Sequence, residues 1–226
     1  MKRMLFPLLT LFSMTAALAQ AQAPAPAEKS DVGAKKILDK IRKKYEGYNT
    51  LEAAFTLTME TPGQPKEVQK GMVGQEANKF RLDMDQQVIV SDGQTTWVYQ
   101  KKNNEVQINN AEPAGSDNGF MTPKDLLQRY QKGDYLYSVV GKETEGGKLL
   151  TQIEFKPKTK KSEYSKLRIS IDEKAGTIQN VKAFAKDGSR YTFAISRLAP
   201  NKAFSADYFT FDAKKYPGVK VEDLRM

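Results

Sequence analysis

Neither cysteine nor histidine occurs anywhere in the 226 residues of this chain. Without histidine there is no Ser-His-Asp or Cys-His triad, and without imidazole or thiolate the common zinc sites are excluded. Carboxylate-only and serine-lysine chemistry stay open on composition alone. The missing cysteine excludes disulfides, which suits a domain large enough to hold its core without them. It also removes the acylated cysteine of bacterial lipoproteins, so the chain is expected to be released after export and not lipid-anchored. Beyond the first residues, no stretch is apolar enough for the ~20-residue span that a membrane helix needs.

What is present begins with an export signal. Lys2 and Arg3 precede an apolar run from Met4 to Leu18, and Ala17-Leu18-Ala19 and Ala19-Gln20-Ala21 both fit the small-x-small cleavage pattern, of which the first, with cleavage after Ala19, fits better. The mature chain is therefore expected in the periplasm. Removing residues 1–19 takes away Lys2 and Arg3 and lowers the formal charge from +9 to +7. That excess favours anionic membrane surfaces or acidic partners; nucleic acid is a poor partner for an exported chain. Residues 20–31 are rich in Pro and Ala and read as an extended or disordered tether. Residues 32–226 read as one domain.

The domain opens with a helix: Ile37, Leu38, Ile41, Tyr45 and Tyr48 recur every three to four residues, lysines fill the other faces, and Gly47 and Asn49 mark the end. Alternation then predicts strands. Leu51, Ala53, Phe55, Leu57 and Met59 point one way, and Phe80, Leu82 and Met84 alternate with Arg81, Asp83 and Asp85. Val88 and Val90 lead through Asp92-Gly93 to Trp97 and Tyr99, a predicted hairpin, and Val106 and Ile108 form a further strand. Thr122-Pro123 opens a second helix carrying Leu126, Leu127 and Tyr130, with Thr as cap and Pro at the first position. Strands return at 135–140, 149–155, 166–172, 177–185, 190–197 and 208–212. So many successive antiparallel strands with few helices predict a curled sheet or open barrel.

Catalytic constellations are thin. Asp83 and Asp85 fall on the face opposite Leu82, beside Arg81, as a solvated face does. Gly71-Met72-Val73-Gly74 lacks the continuation of a phosphate loop. Lys156, Lys158, Lys160 and Lys161 surround a hairpin tip and read as edge protection. The one-sided apolar strands fit an ordinary packed core or a ligand cavity, and a single sheet curling with few helices to plug it leaves room for either.

The stretch Val90-Ser91-Asp92-Gly93 followed by Trp97 and Tyr99 gives V-S-D-G-x-x-x-W-x-Y, which resembles the signature of the LolA family of periplasmic lipoprotein carriers. Leu51 to Phe55, Lys79-Phe80-Arg81, and the closing Phe209-Thr210-Phe211 with Gly218 to Asp223 are similar to family segments in the same order. The resemblance implies a mainly β (α+β) fold, an incomplete antiparallel β-barrel or strongly curled sheet with a lid of two to three α-helices. It also implies a cavity for lipoprotein acyl chains. The one-sided apolar set supplies its candidate lining: Phe55, Leu57, Met59, Phe80, Leu82, Met84, Val90, Trp97, Ile169 and Phe193, with Leu126 and Leu127 from the lid. No catalytic residue, metal or cofactor is expected. The implied partners are acylated lipoproteins, an inner-membrane ABC transporter that releases them, and an acceptor at the outer membrane, with the carrier a monomer. Glu76 stands near the position where many members carry an arginine associated with lid closure. A sensor or adaptor domain on the same barrel is the alternative, and a carboxylate enzyme ranks last because no paired acids converge on the apolar face.

Overall fold

The computed structural model describes residues 29–111, 127 and 130–225. The expected export signal, most of the tether, and Thr122, Pro123 and Leu126 of the expected lid helix lie outside the described residues. Helix α1 (Val32–Glu46) starts where the Asp31 carboxylate accepts the Gly33 N–H at 2.7 Å. Asp31 also joins the edge of the sheet: its N–H donates to the Tyr137 carbonyl at 2.8 Å, and its carboxylate accepts the Val139 N–H at 3.3 Å. Asp31, read as the last residue of the tether, is thus fixed to the domain, because its side chain meets N–H groups that would otherwise lack partners.

Twelve strands of the described residues form one open, curled sheet: β1 (Thr50–Glu60), β2 (Glu67–Glu76), β3 (Lys79–Met84), β4 (Gln87–Ser91), β5 (Thr95–Gln100), β6 (Glu105–Asn110), β7 (Tyr135–Glu145), β8 (Lys148–Pro157), β9 (Tyr164–Asp172), β10 (Thr177–Ala185), β11 (Arg190–Pro200) and β12 (Lys220–Asp223). Strands β1 to β6 and β11 to β7 are two meanders joined where β1 pairs antiparallel with β11. Only β12 runs parallel to its neighbour, β6. Strands β7 and β12 are the edges, so the sheet curls without closing.

Two strands escape the sequence pattern. In β2, Gly71 and Gly74 interrupt the apolar alternation, yet both are there for packing. A β-carbon at Gly71 would lie 2.6 Å from the Phe55 ring on one face, and one at Gly74 would lie 2.6 Å from the Tyr208 ring on the other. Strand β12 is four residues long and exposed throughout, which leaves no periodicity to read. Conversely, residues 208–212 form turns and not the expected strand. Their aromatics are spaced to clamp a chain crossing the sheet, as follows.

Residues directly opposite in an antiparallel pair share a face. On the inner face, Ala34, Leu38, Ile41 and Tyr45 of α1 pack with Tyr135, Tyr137, Ile153, Phe155, Leu167, Ile169, Ile171 and Ile178, and buried Leu127 and Tyr130 join them. The buried Tyr45 hydroxyl accepts the Ile178 N–H at 3.1 Å, where the β9–β10 register shifts. On the outer face, residues 201–219 run as a strap across the β1–β6 half. Lys202 and Arg197 pair with the buried Glu52 carboxylate at its start. The Phe204 ring stacks on Tyr208 at 4.4 Å and Phe211 on Tyr216 at 4.6 Å, and Tyr216 lies 4.5 Å from Tyr99. Each half of the sheet is therefore covered on a different face.

Candidate functional site

The site follows from one row of side chains across the inner face. Pairing aligns Val139, Ile153, Ile169, Val181, Phe193, Leu57 and Gln69 on strands β7, β8, β9, β10, β11, β1 and β2. Ile153 and Ile169, beneath α1, are fully buried. Val181, Phe193 and Leu57 are only half-buried. The row passes from sealed core to accessible apolar surface within a few strands, about 5 Å apart. Parallel to it, Ala183, Tyr191 and Met59 are half-buried too.

The expected lining residues divide three ways. Leu57, Met59, Phe80 and Phe193 lie on the inner face and are half-buried. Phe55, Leu82, Met84 and Ile169 share that face but are packed as core, at 5% exposure or less. Val90 and Trp97 lie elsewhere. Val90 opposes Arg81 and Trp97, and Arg81 alternates with Leu82, so these two point to the outer face and pack with Tyr99, Val106, Phe211 and Tyr216 under the strap. The signature motif thus builds the strap's bed and turns the β4–β5 hairpin, where the Asp92 carboxylate accepts the N–H groups of Gln94 and Thr95 at 2.8 and 2.7 Å. Of the lid pair, Leu127 is helical and buried against the α1 cluster, and Leu126 lies outside the described residues.

Three contributors were missed by sequence reading. Val181 sits on the inner face beyond a β-bulge, which shifts the two-residue period that would have identified it, whereas Ile195 lies two residues from Phe193 on the same face and follows from the alternation of β11 itself. Gln69 is polar and sits in the unrecognised strand β2. Glu76 opposes Thr50 and Lys79, and so lies on the face away from Gln75 and Phe80.

Charge on this face is confined to its margin, where Glu67 opposes Met59, and the carboxylates of the neighbouring strands turn the other way. Asp83 pairs with Lys101 at 2.9 Å on the outer face, as its alternation with Leu82 predicts. Glu154 pairs there with Arg168 at 2.8 Å and Lys166 at 2.9 Å. Burial pushes the Glu154 carboxyl up, but the Arg168 and Lys166 bonds outweigh it and hold it below the usual carboxylate range. Clefts of about 510 and 290 Å³ flank the Arg81–Tyr208 contact on the outer face. Their lining includes Lys70, Asp83, Lys101, Asp207 and Lys215, charged groups that hydrocarbon would have to strip of water. Among the described residues, no group of three His, Cys, Asp or Glu side chains could hold a metal ion, and no helix is long and apolar enough to cross a membrane.

Comparison with known proteins gives a consistent picture. Residues 46–212 match the family model described as outer membrane lipoprotein carrier protein LolA. An outer-membrane lipoprotein carrier protein of Edwardsiella ictaluri is 31% identical over 183 residues, 78% of this chain and 82% of that protein. An uncharacterized protein of Methanocaldococcus jannaschii is 28% identical over 148 residues; the match takes in 63% of this chain but only 42% of that longer relative. The crystal structure of an uncharacterized conserved protein from Thermus thermophilus superposes with a TM-score of 0.55 at 11% identity, covering 84% of this chain and 99% of the other, and so shares its fold.

Proposed function

This chain belongs to the outer membrane lipoprotein carrier protein LolA family, and on that premise we propose that it shelters lipoprotein acyl chains against its inner sheet face while carrying the lipoprotein from the inner to the outer membrane. The family's members are binding and transport proteins, not enzymes. The observation that carries the reading here is the half-buried stretch Val181–Phe193–Leu57, continuous with the core beneath α1.

Burying hydrocarbon contributes roughly 0.8 kcal/mol per methylene. Several fully enclosed acyl chains would hold too tightly for a carrier, which must also release. A surface that is half-covered before cargo arrives supports binding that is strong yet reversible. The cargo enters as a monomeric carrier's ligand, after an ABC transporter in the inner membrane has supplied the energy of extraction. An outer-membrane acceptor receives it.

The test uses inner-membrane vesicles loaded with acylated lipoprotein, supplied with ATP and incubated with the purified mature chain. Lipoprotein is expected in the supernatant, co-eluting with the carrier. An adaptor on the same fold would leave it in the pellet, and that result overturns the reading.

A further inference from the structure

Gln69 sits at the end of the half-buried row, directly opposite Leu57 on the inner face, and only 9% of it is exposed. Its amide nitrogen donates to the Glu67 Oε1 at 2.7 Å. A carboxylate only accepts, so this bond fixes the amide's orientation and turns the Gln69 Oε1 away from Glu67. That oxygen is buried and has no hydrogen-bond partner. One other buried side-chain atom among the described residues is in the same position, Arg168 Nε, but it lies on the outer face beside Glu154. A buried acceptor without a donor is unfavourable, and such atoms are rare in folded proteins.

The inner face of β2 also changes character along its length. From the core outwards it presents Val73, Gly71, Gln69 and Glu67, the last of which accepts a second bond, from the Gln86 amide at 3.2 Å. The neighbouring positions on β1, Phe55, Leu57 and Met59, stay apolar. The face is thus apolar along β1 and polar at the outer end of β2, a pairing that suits a molecule with a hydrocarbon tail and a polar head.

We propose that Gln69 Oε1 accepts a hydrogen bond from the amide N–H of an N-acylated cargo, making it the polar anchor that sets how far the acyl chain enters. This rests on the carrier reading above and adds a preference to it. Ester-linked chains offer no donor at that position, so they leave the Gln69 oxygen unmatched.

The experiment compares two probes on the whole mature chain: N-palmitoylglycine methyl ester, and the analogue in which oxygen replaces the amide N–H. Affinities are read by displacement of a fluorescent fatty acid, for the wild type and for Gln69→Met, which keeps the shape but removes the acceptor. The wild type is expected to bind the amide about tenfold more tightly, the order of one relieved buried hydrogen bond. Gln69→Met is expected to lose this preference and to bind both probes equally. Equal binding of both probes by the wild type overturns the inference and leaves the carrier reading intact, and needs no variant to fold. A preference that persists in Gln69→Met also overturns it, because another group must then be the acceptor. Binding of neither probe by the wild type overturns the carrier reading itself.

Discussion

The Phe55 ring stacks on Phe193 across the β1–β11 pair, with centroids 4.3 Å apart and planes 25° from parallel. Phe55 is buried and Phe193 half-buried, so the stack is the seam between closed core and accessible apolar surface. Truncating the two should separate stability from binding. Phe55→Ala is expected to cost about 3–5 kcal/mol, the usual penalty for emptying a buried aromatic site. Phe193→Ala should cost less than half of that and weaken acyl-probe binding several-fold. Urea denaturation and probe titration on both variants check this; equal destabilisation would place the seam elsewhere.

The seam depends on the absence of a side chain at Gly71. A β-carbon there would stand 2.6 Å from the Phe55 ring and 2.5 Å from the Asp83 carbonyl oxygen, and the carbonyl belongs to backbone that cannot move aside. Gly71→Ala is therefore expected to lose about 1–3 kcal/mol, read as a lower urea midpoint. An unchanged midpoint would show that β2 and β3 leave room for a methyl group after all.

Tyr45 ties α1 to the sheet. Burial pushes its hydroxyl up to about 12, with the Ile178 N–H pulling the other way. Tyr130 is likewise pushed up to about 12, by burial and then by its bond to Asp39. In the unfolded chain such groups ionise near 10. Stability is thus fully present below pH ~10 and is lost as pH rises from there towards the folded values. Tyr45→Phe should cost about 1–3 kcal/mol at neutral pH, because the Ile178 N–H loses its acceptor, and should flatten the alkaline loss. Denaturation midpoints from pH 7 to 11 test both; a variant as stable as wild type at pH 7 contradicts the bond.

Asp31 joins α1 to the β7 edge. The Gly33 N–H, then the Val139 N–H, hold its carboxyl below the usual 3.8, against the opposing effect of burial. A depressed pKa contributes stability that is present above the unfolded value and lost as pH falls through the folded one. Asp31→Ala should cost about 1 kcal/mol near neutrality, and the gap from wild type should shrink as pH drops below 3.8. A gap that stays constant in acid would mean that the carboxylate's charge does no stabilising.

How far the molecule was legible varies by element. Helix α1 and most strands followed from periodicity, because each has one buried and one solvated face. Strand β2 was hidden by Gly71 and Gly74, whose missing side chains make room for Phe55 and Tyr208, partners distant in sequence. The candidate site was half legible for a related reason. Alternation ranks residues within one strand, but which face of β4 and β5 matches which face of β1 depends on register between strands. Val90 and Trp97 were grouped with Leu82 on apolar character alone, and pairing puts them on the other side of the sheet. The strap that covers them was legible only as aromatic segments, since alternation at 208–212 reads as a strand where the chain crosses the sheet in turns and irregular backbone.

The central claim is that the accessible apolar row on β10, β11 and β1 receives hydrocarbon from another molecule. Leu57→Glu tests it most directly, because position 57 is half-buried and a carboxylate there can reach water without unfolding the sheet. The measurement is lipoprotein recovered from inner-membrane vesicles by this variant, after its thermal transition has been shown to match the wild type. The account predicts a folded protein with recovery lowered about tenfold or more, the factor that a loss of roughly 1.4 kcal/mol in binding gives; recovery equal to the wild type would contradict it.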